Sequence, residues 1–314
     1  MAVNLPQYVE TNGQQSWPPP IVFEQVHFHG FVLQGKQELL QDLVDRQLNQ
    51  PCGGAMHFHV PSGLVLLYFA DFPHCYFEVM QNKGWSSQRE AAIWVPLLRR
   101  DNGYPTIQRL CVYSPYVFVD NPVALTAGRE VFGFFKESGS IGLPGDPDNE
   151  DAYTLETIGA VKYSSTTKIG PVKLLRLDSD AGSGSHPWAN LRDAMAHVGR
   201  GLALSPVITA PDGAAEDDDS DPLFSLTPSM VFLKQFRSIG AGQDACYQAI
   251  TEVVPKISAF HGAELERPVH FHLKTIESHP LAGDLGLADQ AVQLAFNARF
   301  DMRFPAGQVL WEAQ

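Results

Sequence analysis

The feature that most constrains the fold is a strict alternation of apolar and polar side chains near the end of the chain. Seven apolar residues fill every even position of the segment 292–304: Val292, Leu294, Phe296, Ala298, Phe300, Met302 and Phe304. Successive side chains of a β-strand point to opposite faces. The pattern therefore predicts a strand with one buried face and one wet face.

Shorter runs with β-like composition predict further strands. They cover residues 26–33, 64–69, 76–80, 91–98, 110–119 and 160–177. Residues 37–48 and 188–202 instead show helical spacing of their apolar side chains, with Ser185 and Pro187 at the start of the second helix. Many strands and few helices predict an α+β protein of mainly antiparallel β architecture.

The chain is expected to form one domain over residues 1–314, because no second core is evident. Its middle, residues 138–225, is enlarged and carries an acidic loop at residues 211–222, which predicts an exposed linker. Residues 138–151 follow directly on the candidate nucleophile and are rich in turn residues. They predict a long connection, with a lid over the site as the functional hypothesis.

Charge and cysteine content restrict the partners and the compartment. The formal net charge of −13 argues against nucleic acid and anionic membranes as partners. The four cysteines show no paired spacing and predict free thiols in a reducing compartment. No apolar run approaches ~18 residues and no secretory signal is recognisable, so the expected location is the cytoplasm.

Lys136 has the most informative surroundings of any ionisable residue. It follows three phenylalanines and two glycines within residues 128–135, just after a strand-like run. A lysine among apolar groups loses hydration, which disfavours its charged form, and a neutral amine attacks carbonyl groups to form a Schiff base. The alternative is that Lys136 lays its stem on aromatic rings and keeps its ammonium group in water.

A family resemblance supports the first interpretation. The segment 119–130, Val-Asp-Asn-Pro-Val-Ala-Leu-Thr-Ala-Gly-Arg-Glu, and the Gly-Phe-Phe-Lys of residues 133–136 resemble the signature of the acetoacetate decarboxylase family. In that family the first of two adjacent lysines forms the Schiff base, and Lys136 matches it. Glu90, six residues before Pro96, is similar to an active-site glutamate of the family. The likeness spans most of residues 20–290.

The resemblance implies a fold and an activity. The implied fold is a closed antiparallel β-barrel with flanking helices and a central pocket. The implied activity is that of a lyase with Lys136 as nucleophile and Glu90 as general acid and base. It also implies a homo-oligomer that needs no cofactor or metal and acts on a small keto substrate.

Several positions depart from the family pattern. Glu137 replaces the second lysine and Phe135 replaces the usual proline. Gln34 and Tyr68 are placed where the family carries a substrate-binding arginine and a second glutamate. Glutamine cannot neutralise a carboxylate, so decarboxylation of acetoacetate is expected to be weak. On a strand, Glu137 is expected to point away from the face of Lys136.

The expected substrate-binding residues follow from these placements: Gln34, Tyr68, Phe132, Phe134 and Arg129. The aromatic members suit a bulkier or less charged ketone than acetoacetate. For Arg129, an ion pair with Glu130 that fixes the loop ahead of Lys136 is an alternative to substrate contact.

Three His-Phe-His triplets raise a different possibility. They begin at His27, His57 and His270, and on a strand each triplet places two imidazoles on one face. Two such strands, or one with a carboxylate, could bind Zn²⁺ or Fe²⁺.

The leading hypothesis remains a Schiff-base enzyme, either decarboxylase-like or of the aldolase or dehydratase type. The alternatives are a metal-dependent enzyme and a non-catalytic barrel that binds an apolar ligand.

Overall fold

The computed structural model describes residues 5–11, 16–101, 109–147, 149, 152–179, 187–188, 190–204, 228–266 and 269–313. Its strands are β1 (Ile21–Gln34), β2 (Met56–His59), β3 (Leu64–Phe77), β4 (Ser86–Asp101), β5 (Arg109–Val119), β6 (Lys136–Gly142), β7 (Ala152–Gly159), β8 (Gly170–Ser179), β9 (Pro187–Trp188), β10 (Ser229–Arg237), β11 (Ala245–Val253), β12 (Lys256–Leu265), β13 (Val269–Leu273), β14 (Gln290–Ala291), β15 (Leu294–Phe304) and β16 (Gln308–Glu312). Its helices are α1 (Gln37–Val44), α2 (Pro122–Ala127), α3 (Leu191–Gly201) and α4 (Leu281–Leu285).

One mostly antiparallel sheet contains all of these strands. Its hydrogen-bonded order is β14-β13-β8-β7-β6-β5-β4-β3-β1-β15-β12-β9, and β2, β10, β11 and β16 branch from it. The pairs β5–β6 and β10–β5 are parallel. The α+β class is therefore confirmed. Across the described residues this order ends at β9 without returning to β14, so the predicted closed barrel is not confirmed.

The alternating segment forms β15 from Leu294 onward, two residues later than predicted, and Ala295 on the predicted wet face is buried. Phe296 and Ala298 of this strand are buried, whereas its Arg299 is exposed. β15 pairs with β1 in a register that places Phe28 opposite Ala298. The apolar face of β15 thereby becomes a wall of a large cavity.

Strands β1, β3 and β4 bury both of their faces. One face carries Phe31, Leu67 and Ile93, which pack in a core together with α1. The other face carries Phe28 and Tyr68, which belong to a second core around the cavity. Because side chains alternate along a strand, neighbouring residues of these strands belong to different cores.

The two predicted helices are present, with changed ends. Residues 37–48 form α1 and a π-helical turn, Asp45–Asn49. The second helix starts later than predicted, because Pro187–Trp188 forms β9 against β12. The Asn190 side chain then accepts a hydrogen bond from the Asp193 N–H at 3.0 Å and caps α3. No helix among the described residues is long and apolar enough to cross a membrane.

The lid hypothesis for residues 138–151 is wrong over the part that the structure describes. Residues up to Gly142 form β6, which pairs with β5 and β7. The turn that follows is held by Arg89, whose guanidinium donates to Asp146 at 2.6 and 2.9 Å. Gly139 serves strand packing, since a Cβ there would lie 2.9 Å from Phe118 Cβ. The acidic loop at residues 211–222 lies outside the described residues, and the single domain stays a prediction.

Candidate active site

A cavity of about 800 Å³ lies against the inner faces of β1, β3, β4 and β15, with α3 along one side. Its walls are mainly aromatic and aliphatic. A few polar groups interrupt them, and Lys136 and Glu90 are the pair that stands together. A large apolar cavity with a small number of convergent polar groups is typical of a ligand site.

A short, well-fixed segment carries Lys136 to the cavity. Asn121 caps α2 by accepting from the Val123 N–H at 2.8 Å, and Pro122 occupies the first helical position. After the π-helical turn Gly128–Phe132, Gly133 adopts φ 93° and redirects the chain into β6. The left-handed conformation favours glycine.

Two hydrogen bonds from neighbouring strands hold this segment in place. The Thr251 hydroxyl donates to the Phe132 carbonyl at 2.7 Å, and the Lys234 ammonium donates to the Val131 carbonyl at 3.1 Å. Lys136 therefore begins β6 from a fixed backbone.

The amine of Lys136 is buried and paired. The residue is 8% exposed, and its Nζ lies 2.8 Å from Glu90 Oε2 and 5.1 Å from the centroid of the Phe134 ring. Glu90 is 6% exposed. A carboxylate at hydrogen-bond distance can take a proton from the ammonium group without the help of solvent.

Tyr68 completes a chain of three polar groups. Its hydroxyl donates to Glu90 Oε1, so each carboxylate oxygen has its own partner. Burial, followed by the nearby charge of Glu90, raises the pKa of Tyr68 well above its usual value. The hydroxyl therefore stays protonated and acts as a donor. Tyr68 in turn packs between the rings of Phe28 and Trp94, each 4.9 Å away.

Gly128 provides the space for the lysine side chain. A Cβ at this position would lie 2.6 Å from Lys136 Cδ and 2.8 Å from Cε. The backbone of Gly128 is ordinary right-handed helix, so the absence of a side chain serves this contact and not the conformation.

Two predicted substrate-binding residues lie elsewhere. Gln34 is exposed at the end of β1, about 20 Å along the strand from Phe28, where its amide donates to the Gly35 carbonyl at 2.8 Å. It shares the strand face of Phe28 but lies beyond the cavity. Arg129 is exposed outside the cavity and donates to the Lys136 carbonyl at 3.0 Å. Its role in this structure is to fix the backbone of the lysine.

The other residues named from the sequence lie close to their expected places. Phe132 and Phe134 line the cavity. Glu137 lies on the opposite face of β6 from Lys136, where its carboxylate is 2.9 Å from His279 Nε2. Glu137 does not line the cavity within the described residues.

The His-Phe-His triplets do not converge. His29 pairs with Glu266, and His272 lies between Asp178 and Asp289 on β13, a strand remote from β1 in the sheet. Among the described residues no group of three or more His, Cys, Asp or Glu side chains is arranged to hold a metal ion.

Sequence reasoning missed Phe28, Trp94 and Gly128. Trp94 has the same strand parity as Glu90, which was a usable signal for its place in the cavity. Phe28 was interpreted only as the centre of a histidine triplet. The role of Gly128 depends on a contact across the fold, which leaves no mark in a single sequence.

Comparisons with known proteins identify the family of the chain. The family model for acetoacetate decarboxylase matches residues 4–192, more than half of the chain. A search of curated proteins gives no match.

Three solved structures are similar over nearly the whole chain. Acetoacetate decarboxylase from Legionella pneumophila has a TM-score of 0.64 at 14% identity and covers 99% of this chain and 93% of its own. The enduracididine biosynthesis enzyme MppR, solved with pyruvate, has a TM-score of 0.59 at 11% identity, with coverages of 95% and 93%. An acetoacetate decarboxylase-like enzyme from Sphingomonas wittichii RW1 has a TM-score of 0.57 at 14% identity, with coverages of 96% and 98%. These likenesses establish the fold, and with the family match they show that the chain belongs to the acetoacetate decarboxylase family.

Proposed function

We propose that the protein is an enzyme that forms a Schiff base between Lys136 and a keto compound. The observation that carries the proposal is the buried contact of 2.8 Å between Lys136 Nζ and Glu90 Oε2 at the wall of an apolar cavity. Membership of a family with enzymatic relatives supports the assignment.

The proposed reaction begins with proton transfer from the ammonium group of Lys136 to Glu90. The neutral amine attacks the carbonyl carbon and gives a carbinolamine. Glu90 then protonates the carbinolamine hydroxyl, which leaves as water, and a protonated imine remains. Tyr68 keeps one carboxylate oxygen occupied, so that the other faces the amine.

The second half of the reaction uses the imine as an electron sink. It draws electrons from a bond next to the former carbonyl carbon, and CO₂, a proton or an aldehyde departs while an enamine forms. Glu90 is placed to exchange a proton with the enamine carbon. A lyase of the decarboxylase, aldolase or dehydratase type follows from this intermediate, and the bond that breaks depends on how the substrate is held.

Reductive trapping tests the proposal. The protein is incubated with a panel of ketones, 2-oxo acids and 3-oxo acids, reduced with borohydride and measured by intact mass and peptide mapping. Pyruvate belongs in the panel because MppR has been solved with it. We expect one substrate mass, less the oxygen lost as water, on Lys136.

Two variants control the trapping experiment. Lys136→Met combined with Glu90→Gln removes both members of the buried pair, which avoids leaving an unpaired charge in the core. This double variant should fold and give no adduct. Lys83→Met is the control, because Lys83 is an exposed lysine that lies outside the cavity. An adduct on Lys234 in the native protein would contradict the assignment.

The apolar walls of the cavity favour one second candidate, a protein that binds an apolar ligand without chemistry. The same experiment separates the two. Binding of apolar ligands with no adduct from any carbonyl compound would support the second candidate and refute the first.

A further inference from the structure

The cavity is much longer than a small keto acid requires. Its lining includes every second residue of β4 from Ser86 to Glu90, and then Trp94 and Pro96. Ten residues of strand correspond to about 30 Å. Lys136 reaches the cavity at Glu90, so about 20 Å of apolar wall extends from the amine toward Pro96.

Two arginines line the same cavity, and Arg109 lies far from the amine. Lys136 is paired in register with Val117 of β5, and Arg109 lies eight residues earlier on that strand, about 25 Å away. Arg192 contributes from the first turn of α3. A cation in the first turn of a helix opposes the helix dipole, so Arg192 is not there to stabilise α3.

Neither arginine is neutralised by the residues that the structure describes. Both side chains are exposed, and the ion pairs formed among the described residues include neither of them. Apart from Lys136, they are the cationic groups among the described lining residues. In a chain with a formal net charge of −13, two guanidinium groups that have no carboxylate partner among the described residues create a local site for an anion beside the apolar cavity.

We infer that the substrate is an elongated, mainly apolar carbonyl compound with an anionic group at the end remote from the reacting carbonyl. The carbonyl lies at Lys136, the apolar chain follows the aromatic wall past Trp94, and Arg109 and Arg192 bind the anionic group. This inference rests on the proposed Schiff-base function of Lys136. It assigns the anionic group of the substrate to the far end of the cavity, whereas the apolar surroundings of Lys136 receive only the carbonyl.

A series of methyl ketones tests the inference. Ketones with propyl, heptyl and undecyl chains are compared with the same chains carrying a terminal carboxylate, and the concentration needed for half-maximal borohydride trapping on Lys136 is measured. Each buried methylene should lower that concentration roughly threefold to fourfold. The terminal carboxylate should improve trapping about fivefold for the undecyl chain and impair it for the propyl chain, which is too short to reach the arginines.

Charge-removing variants provide the decisive comparison. Arg109→Gln combined with Arg192→Gln should reduce the preference for the carboxylated undecyl ketone to about one, that is, by the whole fivefold effect. Arg237→Gln, an exposed arginine outside the cavity, should keep the preference. An unchanged preference in the double variant, or equal trapping of the propyl and undecyl ketones, would overturn the inference.

Failure of the Schiff-base proposal is recognised separately. Dodecanoate has the chain and the carboxylate but no ketone, and its binding is measured by calorimetry on the same proteins. If no ketone is trapped but dodecanoate binds the native protein about fivefold better than the double variant, the elongated anionic ligand stands and the lysine chemistry fails. If ketones are trapped but dodecanoate binds both proteins equally, the inference fails alone.

Discussion

Replacing Gly128 by alanine should disable Lys136 without touching its amine. The new Cβ would lie 2.6 Å from Lys136 Cδ, so the lysine stem must move by about 0.8 Å to reach the 3.4 Å of ordinary contact. Such a shift takes Nζ away from its 2.8 Å contact with Glu90. A misplacement of about 1 Å in an active site costs about a hundredfold in rate, and we expect a loss of that size in the rate of adduct formation.

The stability of Gly128→Ala should change much less than its reactivity. Alanine gains up to about 1 kcal/mol over glycine in a helix, whereas crowding a packed site costs about 1–3 kcal/mol. The free energy of unfolding should therefore fall by no more than about 2 kcal/mol, as measured by thermal or urea unfolding. Gly283→Ala in α4 is the matched control, because its Cβ would meet only Pro280 Cβ at 3.9 Å. Adduct formation by Gly128→Ala at the rate of the control would refute the argument.

Three further outcomes are expected. Gly133→Ala should lower the free energy of unfolding by about 1–3 kcal/mol, seen as a lower Tm. Gly133 has φ 93°, and a Cβ there would crowd the backbone of strand β10. Glu137→Gln should leave the pH profile of trapping unchanged, since Glu137 faces away from Lys136; an altered profile would place it in the site. Burial raises the pKa of the Cys111 thiol from 9.0 to about 12 and that of Tyr68 above 10.0, so the folded chain retains protons that the unfolded chain releases. The contribution of these two groups to the free energy of unfolding is then complete below pH about 9 and declines as the pH rises toward about 12. A Tm that stays constant over that range would contradict this account.

The sequence alone was sufficient to predict which side chains meet at the centre of the candidate site. The family resemblance predicted that Lys136, Glu90 and Tyr68 share a pocket, and the structure places them in one chain of contacts. The catalytic roles of these residues stay a prediction. The even positions of residues 292–304 likewise identified the face of β15 that lines the cavity, because periodicity of two is a local property that tertiary packing preserves.

The errors concern distances along strands and contacts between them. The family resemblance placed Gln34 on the face of β1 that Phe28 shares, but it did not show how far along that face the cavity extends. The small residues of β6 resembled a loop because turn composition was weighed without the neighbouring strands. Gly139 is small because Phe118 needs its space, and that demand comes from a partner strand that the local sequence does not reveal.

The burial of both faces of β1, β3 and β4 has a consequence for protein engineering. Phe28 and Tyr68 shape the cavity, whereas Phe31 and Leu67 on the same strands pack in the separate core with α1. Substitutions on the cavity side leave the volume of the other core unchanged, so their effects on stability should add to those of changes there. A combinatorial library restricted to the cavity face could therefore explore new substrate shapes on a scaffold whose remaining core stays intact.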